Sequence, residues 1–233
     1  MGKEKKAFYL TTAISYPNGE PHIGHAYEAI ITDTLARYHK LFDKNVMFLT
    51  GTDEHGIKML QTAKKNNLTA KQLADKNAPL FMKMLNEVNS THDDFIRTTE
   101  ERHKIACIEI CKRISQNDDN YKDKYAGSYS ISDEANYEEK KLTKKNGQFF
   151  SPQGTVVTWV DEESYFFRLS KYQDQIEELI KDPSFIEPKE RRNEIINFVS
   201  KGLKDFSISR TNVSWGIPVP DIQNHTFYVW FDA

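Results

Sequence analysis

The stretch Tyr16-Pro17-Asn18-Gly19-Glu20-Pro21-His22-Ile23-Gly24-His25 decides how this chain is interpreted. The apolar run Ala7–Ala13 precedes it and predicts a strand, whereas the Pro, Asn and Gly residues of the stretch favour a turn. A long helical pattern begins at the second proline, so both histidines are expected in the first turns of a helix. His22, His25 and Glu28 are spaced three apart and therefore share one helix face. The predicted arrangement is a strand, a tight turn and a helix that begins with two imidazoles.

A helix that begins in this way is suited to binding an anion such as phosphate. Its first amides have no intrahelical partner and carry the positive end of the helix dipole. The imidazoles of His22 and His25 can add further hydrogen-bond donors. Gly24 lies between them, and its missing Cβ would let a nucleotide approach closely. Two surface histidines that happen to flank a glycine would give the same tetrapeptide, so the motif by itself leaves both interpretations open.

A second strand-to-helix turn is predicted soon after the first. The helical pattern continues to about Phe42, and the next apolar run, Asn45–Thr50, is typical of a buried parallel strand. Five apolar residues at spacings of three or four predict the side of the helix that faces the core: Tyr27, Ile31, Leu35, Tyr38 and Phe42. The chain therefore predicts a right-handed β–α–β unit with its functional edge at the carboxyl ends of the strands.

Asp53 lies in the second turn, within Gly51-Thr52-Asp53-Glu54-His55-Gly56. Aspartate is a favoured N-cap residue, so capping of the next helix would explain it as well as ligand binding does. The sequence leaves these two alternatives open. A carboxylate at this edge of the sheet would be well placed to bind an amino group.

The rest of the chain continues this alternation and then changes character. Helices are predicted at about Lys58–Asn66, Ala70–Asn89 and Glu100–Ser115, with a strand at Asp94–Thr98. Cys107 and Cys111 are spaced for one helix face, and we interpret them as small buried apolar residues rather than metal ligands. Composition shifts at about Asn117, and residues 117–226 are interpreted as an inserted α+β module. The apolar run Phe227–Ala233 predicts a strand in a sheet centre; because the chain stops inside it, we expect a fragment.

Length and composition indicate a soluble globular protein. The 233 residues, of which 38% are hydrophobic and 28% charged, can bury a core and are not typical of a disordered chain. The formal net charge of −2 gives no overall nucleic-acid-binding surface. Two cysteines imply no disulfide framework, and no segment resembles a signal peptide or a transmembrane span. We therefore expect a cytoplasmic protein without membrane contact.

The stretch Tyr16–His25 resembles the HIGH signature of the class I aminoacyl-tRNA synthetases, and more narrowly that of the methionyl-tRNA synthetases. Other segments of the chain resemble that family in the same order: Thr50–Gly56, Ser164–Tyr172, Ser207–Arg210, Trp215–Pro220 and Tyr228–Ala233. The resemblance spans almost the whole chain. It implies an α/β fold with a Rossmann-type (HUP) parallel sheet, whose first half is residues 1–116. Residues 117–226 would be the family's connective-peptide insertion, and residues 227–233 the return to the sheet.

The family makes methionyl-adenylate from methionine and ATP with Mg2+, and then transfers methionine to the 3′ end of tRNA(Met). The resemblance implies that His22 and His25 are catalytic and stabilise charge during attack of the carboxylate on the α-phosphate. Gly24 would also lie against the ATP, and Tyr16 and Glu28 would help to bind it.

The resemblance also implies a methionine site. Asp53 would bind the amino group of the substrate. The residues implied to line the side-chain pocket are Ile14, Tyr16, Trp230 and Ala233, where a thioether gains from aromatic contact. Arg210 would belong to a charged shell around the same site.

The chain departs from the family pattern in two respects. Ser130 stands where many relatives have a zinc-binding cysteine, and no cysteine follows Cys111, so we expect no zinc and no other metal held by the protein itself. The KMSKS loop and the anticodon-binding helices are absent, so this fragment by itself is expected to be inactive in aminoacylation.

Three alternatives remain open at this point. The leucyl, isoleucyl and valyl enzymes of the same class usually carry a longer editing insertion than the roughly 110 residues available here. A non-catalytic module that binds a nucleotide or an amino acid would not need the missing KMSKS half. A simple nucleotidyltransferase with an HxGH turn would not need the segment Trp230–Ala233.

Overall fold

The computed structural model describes residues 6–133, 135–145, 147–211 and 213–233. Its helices are α1 (Ile23–Leu41), α2 (Ile57–Lys65), α3 (Ala70–Glu87), α4 (Glu101–Gln116), α5 (Gln173–Leu179), α6 (Lys189–Val199) and α7 (Val229–Asp232). Its strands are β1 (Ala7–Thr11), β2 (Asn45–Thr52), β3 (Asp94–Arg97), β4 (Asn120–Ser130), β5 (Ala135–Tyr137), β6 (Thr143–Lys145), β7 (Gln148–Phe150), β8 (Val156–Phe167), β9 (Phe206–Ser207), β10 (Ser209–Arg210) and β11 (Thr226–Phe227). No helix in these described ranges has the length and apolar character required to cross a membrane.

The first three strands form a parallel sheet with β2 in the middle. Phe8 of β1 is paired with Val46 of β2, and Leu49 of β2 is paired with Asp94 of β3. Helix α1 connects β1 to β2, which confirms the predicted β–α–β unit. Because parallel strands end at the same edge, the segments that follow β1 and β2 lie side by side there. Residues 1–5 of the predicted first half lie outside the described residues.

The prediction of which side of α1 faces the core is wrong. The buried residues of α1 are Ala29, Thr32, Asp33 and Ala36. The predicted apolar residues are exposed, from 43% for Ile31 to 67% for Tyr27. Asp33 is accommodated because its carboxylate accepts hydrogen bonds from the Thr91 amide and from Arg37, both at 2.6 Å. Apolar periodicity identifies a helix face that is suited to packing. In the described part of the chain, however, no helix or strand covers the predicted face of α1.

The two longest strands, β4 and β8, pair antiparallel from Asn120 opposite Phe167 to Tyr129 opposite Thr158. Within the described residues they belong to a six-stranded sheet. Helices α5 and α6 follow β8 in the chain and share a core that contains Ile180, Val199 and Leu203. Strand β4 begins at Asn120 and strand β8 continues to Phe167, because residues 120–125 pair with residues 162–167. The α+β character predicted for residues 117–226 is confirmed, while the domain boundaries stay a prediction.

The strand predicted at Phe227–Ala233 is wrong. β11 ends at Phe227 and pairs antiparallel with β10, so it does not extend the parallel sheet. The Tyr228 amide then donates to the Ile208 carbonyl at 2.9 Å, and helix α7 begins at Val229. An apolar run of this length fits a buried strand and a short buried helix equally well, which explains the wrong prediction.

Candidate functional site

The two histidines of the Tyr16–His25 stretch are built into the start of α1. His22 is the N-cap residue, and its Nδ1 accepts a hydrogen bond from the Gly24 amide at 3.1 Å. The Nδ1 of His25 accepts from the His22 amide, also at 3.1 Å. The two rings stack with their centroids 3.8 Å apart. The result is a capping box made with imidazoles, which confirms that the histidines lie at the start of the helix.

This geometry determines which ring nitrogen carries the proton. Because Nδ1 accepts in both rings, each neutral imidazole carries its hydrogen on Nε2, which is then available as a donor. Burial, followed by the adjacent His22, lowers the pKa of His25 and favours this neutral form, although Glu28 opposes the shift. The sequence predicted that free amides at the helix start would bind an anion, but the Gly24 amide already donates to the cap. The imidazole Nε2–H groups are the donors that the cap leaves available.

Gly24 is required by the cap itself. A Cβ at this position would lie 2.9 Å from Cε1 and 3.0 Å from Nδ1 of His22. A side chain there would therefore push the capping ring away from the helix start. This local requirement exists in addition to the predicted close approach of a nucleotide.

Glu28 ties α1 to the end of the first strand. Its Oε1 accepts a hydrogen bond from the Ala13 amide at 2.8 Å. Beside it, His25 and Glu28 line a small cavity of about 20 Å3, which is the size of a single water site. The predicted nucleotide contact of Glu28 would therefore be made by a side chain that already orders the loop after β1.

Asp53 directly follows β2 and is only 3% exposed. Its amide donates to the Ser15 carbonyl at 2.9 Å, and Ser15 forms a parallel bridge with Thr52. The N-cap residue of α2 is Gly56, so capping of the next helix does not explain Asp53. The backbone holds the Asp53 loop beside Ile14 and Tyr16, as expected from the carboxyl ends of neighbouring parallel strands.

A buried ion pair beneath this loop was not predicted. Glu54 is fully buried and accepts hydrogen bonds from the Thr52 hydroxyl at 2.9 Å and from Arg97 Nε at 2.6 Å. Arg97 also donates to Asp75 at 2.7 Å. The available signal was an arginine at the end of β3, the strand next to β2. Such a pair holds the Asp53 loop because a buried charge is stable only when it is paired.

The residues predicted around the methionine side chain come from two separate parts of the chain. Tyr16 packs against a cluster of Tyr129, Tyr228 and Val229, which brings it beside the start of α7. Trp230 of α7 is 61% exposed, and Ala233 is also exposed. The turn that carries Trp230 thus lies against the loop that carries Tyr16.

Arg210 is a buried cation beside the same turn. Its guanidinium lies 4.0 Å from the ring centroid of Tyr228, and it donates to the Ser207 hydroxyl and, at 2.9 Å, to the Ser209 carbonyl. Its Nε is 3.7 Å from a carboxylate oxygen of Glu162. Within the described residues, the Nη2 of Arg210 is buried and makes no hydrogen bond. The predicted charged residue is therefore held in place by stacking, with one donor unused.

The two cysteines are core residues, as interpreted from the sequence. Cys107 and Cys111 pack with Ile217, Val219 and Phe227. Burial, followed by Asp232, raises the pKa of Cys107 to about 12, which keeps its thiol protonated. Cys111 also lines a cavity of about 300 Å3 that contains none of the predicted site residues.

Comparison with known proteins finds similarity over nearly the whole chain. A family model described as tRNA synthetases class I (M) matches residues 8–148 and 148–233. The chain belongs to the methionyl-tRNA synthetase family. It is 56% identical over 235 residues to the methionine–tRNA ligase of Brucella suis and 54% identical over 233 residues to that of Rhizobium meliloti. These alignments cover 100% and 99% of the chain and 45% of each relative, so the chain spans less than half the length of the curated relatives it matches.

Two solved structures of Mycobacterium tuberculosis methionyl-tRNA synthetase are similar to the chain. The complex with methionyl-adenylate has a TM-score of 0.94 and 46% identity, and the alignment covers 97% of this chain and 45% of that one. The apo form has a TM-score of 0.81 and 43% identity, and the alignment covers 98% of this chain and 44% of that one. The Rossmann-type α/β fold expected for this family is thereby confirmed. The chain is closer in shape to the adenylate complex than to the apo form.

Proposed function

We propose that the full-length protein carrying this chain is a methionine–tRNA ligase. It would activate methionine with ATP to methionyl-adenylate and transfer methionine to the 3′ end of tRNA(Met) in the cytoplasm. The observation that carries the proposal is the match of the whole chain to methionyl-tRNA synthetases, with a TM-score of 0.94 to a relative that holds methionyl-adenylate.

The two histidines act on the ATP. When the methionine carboxylate attacks the α-phosphate, negative charge grows on the phosphoryl oxygens. The capping hydrogen bonds fix both rings, so that the Nε2–H donors of His22 and His25 are oriented before the reaction and need no reorganisation. Gly24 keeps this surface open, and Tyr16 and Glu28 contact the nucleotide.

The Asp53 loop and α7 bind the amino acid. A buried carboxylate gains from a cationic hydrogen-bond partner, and the substrate ammonium group supplies one to Asp53. The side chain of methionine lies among Ile14, Tyr16, Trp230 and Ala233, where the aromatic rings contact its sulfur. Arg210, stacked on Tyr228, contributes positive charge to the same site.

The magnesium ion arrives with the nucleotide. The described residues contain no group of three or more His, Cys, Asp or Glu side chains that could hold a metal ion. Mg2+ is usually held by substrate phosphates with one or two protein ligands, so these residues fit an ion carried by ATP rather than a protein cage. When bound, it neutralises phosphate charge.

The division of the chain follows from the same proposal. Residues 1–116 are the first half of the catalytic domain, and residues 117–226 are the connective-peptide insertion. The parallel sheet lies in the first range and the antiparallel sheet in the second, which supports the division. Residues 227–233 begin the second half of the domain with a helical turn.

The test is methionine-dependent exchange of pyrophosphate into ATP by the full-length protein. We expect exchange with methionine and none above background with leucine, isoleucine or valine. Exchange driven by one of those amino acids would assign the protein to the neighbouring synthetases. The 233-residue chain alone is expected to leave tRNA uncharged, and turnover by it would contradict the division of the active site.

A further inference from the structure

A buried contact joins the two segments that carry the methionine-binding residues. Nδ1 of His55 lies 2.5 Å from Oδ2 of Asp232, although the residues are 177 positions apart in the chain. The side chains are 4% and 1% exposed. His55 is two residues after Asp53, and Asp232 lies between Trp230 and Ala233. This contact therefore connects the ammonium-binding loop directly to the turn that carries the side-chain pocket.

The His55 end of the contact is fixed by Trp215. The indole of Trp215 packs edge-on against the His55 ring, with the centroids 5.5 Å apart. Its Nε1 donates to the Glu54 carbonyl at 2.6 Å, and its own carbonyl accepts from the Gly56 amide at 3.1 Å. The imidazole of His55 consequently has a rigid base, and its Nδ1 points at Asp232.

The Asp232 end depends on this contact. Within the described residues, its Oδ1 is buried and accepts no hydrogen bond, so Oδ2 and His55 account for the polar contact of the carboxylate. Its carbonyl lies 3.9 Å from the Sγ of Cys107, a weak contact. Helix α7 has only four residues and no intrinsic stability as a helix. Its position must therefore come from tertiary contacts, and the contact between His55 and Asp232 is a buried polar one among them.

We propose that His55 and Asp232 form a positioning pair that sets the distance between Asp53 and Trp230, and so preforms the methionine site. The inference rests on the proposed function and extends it to two residues that touch neither substrate. Within the described residues, the pair makes no hydrogen bond or ring contact with His22 or His25. Its loss should therefore weaken methionine binding and leave ATP binding unchanged.

The experiment is a double-mutant cycle in the full-length protein, measured by pyrophosphate exchange at varied methionine and varied ATP. His55→Ala and Asp232→Ala are each expected to raise the KM for methionine about tenfold. The KM for ATP should stay within about twofold. The double variant should resemble either single variant, because both changes remove the same contact.

Conservative variants separate the hydrogen bond from packing. The side-chain nitrogen of Asn takes the place of Nδ1 of a histidine, whereas that of Gln takes the place of Nε2. The KM for methionine of His55→Asn should therefore be close to that of the wild type, and the KM of His55→Gln should stay raised. Asp232→Asn, which keeps the shape and one acceptor, should give a smaller increase than Asp232→Ala. These variants also provide the measurement if an alanine variant fails to fold.

A matched control is Asp119→Asn in the insertion. Asp119 is equally buried and accepts a hydrogen bond from the Tyr172 hydroxyl at 2.5 Å. The Asp119→Asn variant should have a lower melting temperature than the wild type and an unchanged KM for methionine.

Additive effects in the double variant, or equal changes in both KM values, would overturn the positioning role. Equal rescue by Asn and Gln would do the same, since ring packing alone would then explain His55. Wild-type protein without methionine-dependent exchange would overturn the proposed function itself and this inference with it. If the wild type is active and the variants have the same KM for methionine as the wild type, only the inference is overturned.

Discussion

The Nδ1 of His25 accepts a hydrogen bond from the backbone amide of His22, and in doing so it turns a catalytic candidate into a helix-capping group. The same ring then has its Nε2–H available as a donor of fixed orientation. One side chain thereby stabilises the helix start and prepares a site for a phosphoryl group. The two roles can be separated by experiment because they use different nitrogen atoms.

His25→Ala in the full-length protein should slow adenylate formation about 100-fold or more, because it removes a preorganised transition-state donor. The loss of the cap should cost about 1 kcal/mol of stability. Single-turnover formation of methionyl-adenylate measures the first effect and thermal unfolding the second.

The control for this experiment is His25→Gln. Glutamine is a usual capping-box residue at this position, so it should restore the cap and the stability. Activity should stay low because the imidazole is missing. An adenylation rate that His25→Ala leaves unaltered would mean that the histidine is purely structural.

Gly24→Ala should lower activity with little net change in stability, because the gain in helix propensity offsets the loss of the His22 cap. Alanine is favoured over glycine inside a helix by about 1 kcal/mol, but its Cβ would lie 2.9 Å from the His22 ring and displace it. Gly19→Ala is the matched control, since a Cβ there meets nothing within 4 Å. We expect a reduced adenylation rate for the first variant and a wild-type rate for the second. Equal rates for both would show that the His22 ring position is unimportant.

Much of the first half of the fold could be predicted because its signals are local. Asn45–Thr50 is apolar enough for a central strand, and the Pro–Asn–Gly turn marks the chain reversal before α1. The exposed side of α1 could not be predicted, because periodicity does not show which partner covers a face. The seven residues Phe227–Ala233 suited a strand or a helix, and the local pattern could not decide.

Local patterns predicted the part of the candidate site that lies at strand ends, whereas Arg210, Trp230 and Ala233 came from the resemblance to the family. The HIGH stretch and Asp53 follow strand ends, and parallel pairing brings such ends together. Capping by imidazole is outside the usual preferences for N-cap residues, so the double role of His22 had no signal. The contact between His55 and Asp232 joins residues 177 positions apart, and no local pattern indicates it.

Gly51→Ala should destabilise the parallel sheet beside Asp53. A Cβ at this position would lie 2.0 Å from the backbone carbonyl oxygen of Ile96 in the neighbouring strand, which cannot move without breaking the β2–β3 pairing. Overpacking of this kind costs about 1–3 kcal/mol. Denaturant unfolding should show a lower midpoint for the variant.

Gly127→Ala provides the contrast for Gly51. Its Cβ would lie 2.6 Å from the hydroxyl oxygen of Tyr125, which is the end of a side chain and can move aside. We expect a much smaller loss of stability. A similar loss of stability for both variants would contradict the idea that the close approach of the Ile96 carbonyl to Gly51 excludes a side chain there.

A cluster of hydroxyl groups surrounds Asp133, close to Ser130, the position at which the resemblance would imply a zinc-binding cysteine. Oδ2 of Asp133 accepts hydrogen bonds from Thr155 at 2.6 Å and from Ser151 and Tyr137 at 2.8 Å. Ser130 bonds the hydroxyl of Thr155 at 2.7 Å. We therefore predict that these turns are held together without zinc. Elemental analysis of the purified protein should find no stoichiometric zinc, and one zinc per chain would refute this prediction.

The same cluster predicts a dependence of stability on pH. Burial raises the pKa of Asp133, but the hydroxyls of Thr155, Ser151 and Tyr137 outweigh it and hold the pKa below its ordinary value of 3.8. A depressed carboxyl pKa contributes stability that is fully present above the unfolded value and is lost as the pH falls through the folded value. Asp133→Ala should therefore have a lower melting temperature than the wild type at pH 7, and the difference should shrink below a pH of about 4. Asp161→Ala, at an exposed carboxylate of β8, is the control and should change the melting temperature little at either pH. A difference between wild type and Asp133→Ala that stays constant down to acid pH would mean that the charge of Asp133 does not stabilise these turns.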